Sequence, residues 1–398
     1  MPIDFLSVYQ KIQEIGQGTR QRKKTMEERR QKARQLLAEW AHNVDALRAK
    51  VDAAKQADPT LRCAVPLKEP LDAHYPAPAP VIEATVIAAD GSQINPDRHA
   101  AVQFGLINVG AILMKHDAPD APQIFTESAL LYGEELLLNG APLSEGMVAL
   151  RRDLAERQKL EELAKNIHGP VVTFTDGPLE LWGAQGEDAR SYAEFLEKYK
   201  TILSRLQTRG VITAGYVDKP SADLVIRLLE IAAADAESLG HIREFHPLLG
   251  VSDRWLFGER EKPLLPAGHR SAVFKLQSSS EKNYSGVLEL HFFYLNVGSE
   301  VHPWPVRVEI PKWVAEDKSK LDILHSILLA QCKLMSSKPY PYLLNRAHEI
   351  ALVRHEEKQQ IEQLLWMEMR KQGEEPDDPS YKQSGKDSLE SGKKRYGK

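Results

Sequence analysis

The chain has only two cysteines in 398 residues, Cys63 and Cys332. Their separation matches no zinc-ligand or redox spacing, which excludes a disulfide-stapled scaffold and points to a reducing compartment. No apolar run reaches membrane-spanning length, and no charged leader with an apolar core follows Met1, so a cytoplasmic protein without membrane contact is expected. The formal net charge of −4 provides no global basic field, and affinity for phosphate must come from local patches or a bound cation. Walker-type phosphate loops and the patterns GxGxxG, HExxH and GxSxG are all missing. Nucleotide hydrolysis by that route, zinc peptidase chemistry and serine esterase chemistry are thereby disfavoured.

What is present reads as an ordinary globular protein, 27% charged and 42% hydrophobic, long enough for one large or two ordinary domains. Residues 20–57 are polar and helical in pattern. Within them Ala33, Leu37, Trp40, Val44, Leu47, Val51 and Ala54 recur at alternating spacings of four and three, an a/d seam over three heptads. This predicts a coiled coil or a long helix over 20–57 within a helical N-terminal region of residues 1–75, an arm that either packs on its own domain or serves a dimer or partner. Its RQRKK block is a solvated helix face or a nucleic-acid contact. The Pro/Ala stretch AHYPAPAPVIE reads as a stiff linker into a domain over 81–370.

That domain opens with an apolar, β-branched run, Glu83–Ala89, ending in Asp90-Gly91-Ser92. It is followed by a second run, Gln103–Leu113, and a third near Gln123–Leu131, and short turns between them predict an antiparallel meander. An acid at the end of a core strand costs desolvation energy, so Asp90 either caps a turn or holds a cation. Helical spacing then sets in over Glu145–Ile167, with Ser144 as the cap and Glu156 on the edge of the apolar face; Glu161 and Glu162 read as solvent or ion-pair residues. The next strand, Val171–Phe174, delivers a second acid, Asp176, again just before a glycine. Alternating strands and helices here favour parallel pairing. Two carboxylates about 4 Å apart repel by roughly 4 kcal/mol at an effective dielectric of 20. A shared proton or a divalent cation would neutralise them, and oxygen donors suit Mg²⁺ or Mn²⁺ rather than Zn²⁺.

Further on, Lys219 follows a strand over Val211–Val217 and is either a phosphate contact or a turn lysine. His246 and Asp253 take no assignment. Strands are expected at Ser271–Lys275, Leu288–Leu295 and Val306–Ile310, and helices at Leu321–Met335 and from Tyr342. His348 falls on the flank of the last helix, where an imidazole can ligate a cation or hydrogen-bond a phosphate. Residues 371–398 are almost without apolar side chains and are expected to be disordered.

The ordered set AADGSQ with Asp90, ALRRDLAERQKL with Glu156, FTDGPL with Asp176, GYVDKP with Lys219 and PYPYLLNRAHE with Tyr340 and His348 resembles the NurA nuclease family over about residues 81–355. The resemblance implies an α/β, ribonuclease H-like mixed β-sheet core flanked by helices. It also implies Mn²⁺- or Mg²⁺-dependent cleavage of DNA, at linear single- or double-stranded ends. The implied partners are a HerA-like hexameric ATPase in end resection and a second copy in a homodimer. Carried over residue by residue, it makes Asp90, Glu156 and Asp176 the metal-binding acids, with Tyr340 and His348 as the C-terminal active-site pair. His348 is then near the metal and the leaving oxygen, and Lys219 meets phosphate. The alternatives from other classes are a catalytically silent adaptor that clamps DNA for the ATPase, and a phosphatase of small phosphate esters.

Overall fold

A computed structural model describes residues 3–81, 83–181, 189–260, 263–336 and 338–373; the tail beyond 373, expected to be disordered, lies outside these. The chain divides into two units. One comprises Met1–Val81, Gly177–Leu179 and Ala214–Pro341, and the other Ile82–Asp176, Glu180–Thr213 and Tyr342–Lys398. No helix among the described residues is long and apolar enough to cross a membrane.

The first unit begins with three helices, α1 (Phe5–Gln17), α2 (Thr19–Trp40) and α3 (Val44–Ala57), followed by the short strands β1 (Cys63–Pro66) and β2 (His74–Tyr75). The single long helix expected over 20–57 is therefore corrected to two, because the chain turns at Ala41–Asn43. The seam is real but points inward: Ala33 and Leu37 of α2 and Leu47, Val51 and Ala54 of α3 are buried. Both helices pack on a later helix of the same unit, Leu224–Ala233. An a/d stripe needs only an apolar surface opposite it, and here the chain's own core supplies that surface. The seam thus gives no support to a dimer. In α1, by contrast, Phe5, Leu6, Tyr9 and Ile12 are exposed.

The second unit carries β3 (Ala84–Ile94), β4 (Gly105–His116), β5 (Gln123–Leu131), a two-residue hairpin β6 (Leu137–Leu138) and β7 (Ala141–Pro142), α4 (Glu145–Leu163), β8 (Val171–Asp176) and α5 (Ala189–Thr208). The expected meander is present: β3 pairs antiparallel with β4 over the whole of β3, and β4 with β5. On its other edge β3 pairs with β8 in parallel, Thr85 opposite Val171 through Ala89 opposite Thr175. The sheet order is thus β8-β3-β4-β5. Ser144 caps α4 by accepting the Met147 amide, as its place before an acidic first turn predicts.

Strand β9 (Ile212–Val217) leads back into the first unit, which continues through α6 (Leu224–Ala233), α7 (Ala236–Gly240), α8 (Asp253–Gly258), β10 (Arg270–Ser271), β11 (Phe274–Gln277), β12 (Leu290–Asn296), β13 (Pro305–Pro311), α9 (Lys312–Ala315) and α10 (Lys318–Leu334). Within this unit β1, β11, β12, β13 and the end of β9 pair antiparallel in that order. The chain then returns to the second unit with α11 (Tyr342–Ala351) and α12 (His355–Lys371). There Val353, Ile361 and Leu365 pack on a cluster of Ile94, Phe104 and Leu106.

Truncating Leu47 to Ala, which is fully buried, should cost about 2–5 kcal/mol in urea unfolding; a cost within error would mean that the seam is not part of the core. A pH effect follows from His325, which is buried and lies 2.8 Å from the Gly268 carbonyl. Burial, more than any other influence, lowers its pKa to about 4. Above the ordinary value near 6.5 both folded and unfolded imidazoles are neutral and stability is full. As pH falls from about 6.5 through 4 only the unfolded chain takes up the proton, so stability declines. In His325→Asn that decline should be shallower by about one proton, read from urea midpoints across the range.

Candidate active site

Asp90 lies inside β3 rather than in a turn. The Asp-Gly-Ser sequence continues the antiparallel register without interruption, Asp90 opposite Gly110, Gly91 opposite Val109 and Ser92 opposite Asn108. The turn expected after Ala89 is corrected: the strand runs on to Ile94. Gly91 is small for another reason: a Cβ there would stand 2.6 Å from Arg152 Cγ and 2.7 Å from Glu156 Oε1. Helix α4 presses on the strand at this residue. The second acid-glycine pair does turn, since Gly177 has φ +85 and β8 ends at Asp176.

The strand register decides which acids share a face. Ala89 is opposite Thr175 in the parallel pair, so the next rung aligns Asp90 with Asp176 on adjacent strands about 4.8 Å apart, side chains on one face. Residues directly opposite in a ladder also share a face, so Asp90 points to the side on which Gly110 lies. That side is covered by α11: a Cβ on Gly110 would come 2.5 Å from the Ala351 amide nitrogen and 2.7 Å from the Ala347 carbonyl. From α11 the His348 imidazole reaches Asp90, with Nδ1 2.7 Å from Oδ2. An ionised carboxylate only accepts, so Nδ1–H donates. Asp90 is largely shielded, while the His348 side chain is 64% exposed and Asp176 is exposed at the strand end.

Glu156 is on the opposite side. Successive residues of a strand alternate faces, so α4 at Gly91 and α11 at Gly110 cover different sides of the sheet, and Glu156 approaches the strand from the α4 side, near enough for the Asp90 charge to act on it. It is buried, 2.8 Å from Arg157 and 3.4 Å from Arg152. Burial pushes its carboxyl up to about 8; Arg157 and Arg152 oppose the rise, and Asp153 and Asp90 add to it. Arg152 and Asp153, paired at 2.8 Å, were passed over in the sequence because their spacing on α4 falls off the apolar stripe. Glu161 is ion-paired with Arg209 at 2.5 Å and Glu162 with Lys159 at 3.1 Å, as expected of both.

Lys219 and Tyr340 belong to the first unit. The Lys219 ammonium lies 5.8 Å from the centre of the Trp304 ring, whose Nε1 donates to Asp218. Tyr340 meets Tyr216 edge to face at 5.3 Å. Asp253, unassigned in the sequence, is buried and caps α6 by accepting the amides of Val225 and Ile226 at 2.9 and 2.7 Å. Among the described residues no group of three or more His, Cys, Asp or Glu side chains is arranged to hold a metal ion. Two aligned carboxylates nonetheless match the way Mg²⁺ is usually held, by one or two carboxylates with waters and substrate phosphates completing the shell.

A mixed sheet of order β8-β3-β4-β5, helices on both faces and acids at the aligned ends of its parallel pair define a ribonuclease H-like α/β fold. A family model for the NurA domain matches residues 84–353, more than half of the chain. The chain belongs to the NurA family, a nuclease family of that fold. Among solved structures, the NurA nuclease from Sulfolobus solfataricus is similar over 81% of this chain and 92% of its own, with 12% identity and a TM-score of 0.43. The catalytic domain of human Endonuclease V is similar over 81% and 98%, with 14% identity and a TM-score of 0.32. A. aeolicus Argonaute is similar over 68% of this chain and 28% of its own, with 11% identity and a TM-score of 0.30. No curated protein matches the chain.

Opposite outcomes are expected for the two carboxylates. At pH 9, where Glu156 is mostly ionised, Glu156→Gln strips the buried Arg157 of its counter-charge and should destabilise the fold by about 3–5 kcal/mol, whereas Asp90→Asn should leave the melting temperature within a few degrees. Equal melting temperatures for both variants would refute this division.

Proposed function

We propose that the chain is a metal-dependent deoxyribonuclease in which Asp90 and Asp176 hold Mg²⁺ or Mn²⁺. The observation that carries this reading is the parallel register that aligns these two acids on one face, with His348 bound to the first, in a chain of the NurA family. When bound, the ion supplies Lewis acidity to the phosphodiester and ionises water for attack on phosphorus. His348 holds the Asp90 carboxylate in one orientation through Nδ1, and its exposed edge faces solvent, from which a leaving oxygen can take a proton. Glu156, paired with Arg157 and Arg152, approaches the same strand at Gly91 and would be the third acid beside the ion. Lys219, with its ammonium exposed, contacts backbone phosphate, and Tyr340 serves the same reaction. The family further supports DNA ends as substrate, end resection beside a HerA-like hexameric ATPase, and a homodimer.

End-labelled single- and double-stranded DNA incubated with Mn²⁺, Mg²⁺ or EDTA tests the reading. Cleavage should require the ion, and Asp90→Ala and Asp176→Ala should each abolish it while keeping the wild-type circular dichroism. His348→Ala should lower the rate about 10²- to 10⁴-fold. Full activity in either aspartate variant, or in EDTA, would sink the assignment.

A further inference from the structure

Helix α11 ends at Ala351, and its last carbonyls have no partner within the helix. The Ala351 carbonyl accepts two side-chain bonds from the sheet, one from Ser92 Oγ and one from Asn108 Nδ2 at 2.7 Å. Asn108, itself buried, is held by Ser128 Oγ, which donates to its Oδ1 at 2.6 Å. Ser92 also accepts the Val353 amide at 3.2 Å, fixing the chain just beyond the helix. These donors are not scattered: Ser92 and Asn108 are opposite each other on one rung of β3 and β4, and Asp90 and Gly110 form the rung two residues away on the same face. That separation is about 6.7 Å. His348 is three residues before Ala351, about 4.5 Å back along the helix, and its imidazole spans the rest to Asp90. Gly110 lets the helix backbone sit directly on the strand.

We propose that Asn108, Ser92 and Gly110 are positioning residues that set His348 on Asp90. The donors pin the end of α11 to one rung, the glycine sets its height over the next, and the imidazole then has one place to go. The effect on catalysis rests on the nuclease reading above; the effect on the imidazole does not. Without the pin the helix end lifts or slides, and a displacement of about 1 Å at a reacting group can cost about 100-fold in rate.

The test uses the full chain labelled with ¹⁵N-histidine, the His348 signal being assigned by its loss in His348→Gln. In the wild type at pH 8, the two-bond ¹H–¹⁵N pattern should show the proton on Nδ1. In Asn108→Ala and in Gly110→Ala that signature should be lost toward the Nε2–H form. Ser92→Ala, which leaves one of the two donors, should give the same change to a smaller extent and covers the case in which a larger change prevents folding. In DNA cleavage, Asn108→Ala should lower kcat about 10- to 100-fold with little change in KM, and should cost nothing further in a His348→Ala background. An unchanged Nδ1–H signature in folded variants overturns the inference, and so does an additive loss in the double variant. A signature present in the wild type and lost in the variants, in a protein whose wild type cuts no DNA, supports the positioning role and refutes the nuclease reading alone.

Discussion

The contact on which the second unit depends is the seating of two helices against the backbone of one strand pair, from opposite sides. Helix α4 meets β3 at Gly91, and α11 meets β4 at Gly110, in each case so closely that a methyl group would overlap its neighbours. Adjacent residues of a strand face opposite ways, so these two glycines sort everything nearby into two sets. Asp90, Ser92, Asn108 and His348 gather on the α11 face, while Glu156, Arg152 and Arg157 gather on the α4 face. At Gly110 the approach is backbone to backbone, which removes slack, since no flexible side chain separates helix from strand; at Gly91 it is the Arg152 and Glu156 side chains that press on the strand.

Each set solves the problem of a shielded carboxylate differently. On the α4 face Glu156 is fully enclosed and two arginines on its own helix answer it, a structural arrangement whose loss would leave a buried charge unpaired. On the α11 face Asp90 meets an imidazole that is itself mostly in solvent, so its partner can respond to what binds there. Asp253 in the first unit shows a third solution. It is buried, its pKa is raised to about 6 chiefly by burial, and it is satisfied by two helix amides and the Tyr294 hydroxyl. A buried acid near a helix start is thus a cap in one unit, and a strand acid beside an exposed histidine is a reaction candidate in the other.

Much of the second unit was legible in the residues. The run Gln123–Leu131, the helix opening after Ser144 and the acid at the end of β8 follow from periodicity, capping and turn chemistry, which act over a few residues. The alternation of strands and helices pointed to parallel strands, while the pairing of β3 with β8 is seen only in the assembled sheet. Asp-Gly-Ser was misread because the same three residues are good turn chemistry and, when a helix presses on the glycine, good strand. The seam of α2 and α3 was legible as apolar spacing, but the residues that cover it come from α6, about 170 residues later.

Chain order and local pattern were therefore enough to place the strand runs that carry Asp90 and Asp176 and the helix that carries His348, because periodicity and capping are short-range features. The partition of the acids between two faces was decided only by the assembled sheet. Glu156 has the same helical spacing whether it faces a metal or an arginine. What separates the two is the one-residue offset between Gly91 and Asp90 and the faces that α4 and α11 cover. Such an offset has no signature in a single sequence, since it depends on which segments far apart in the chain come to pack against the same rung.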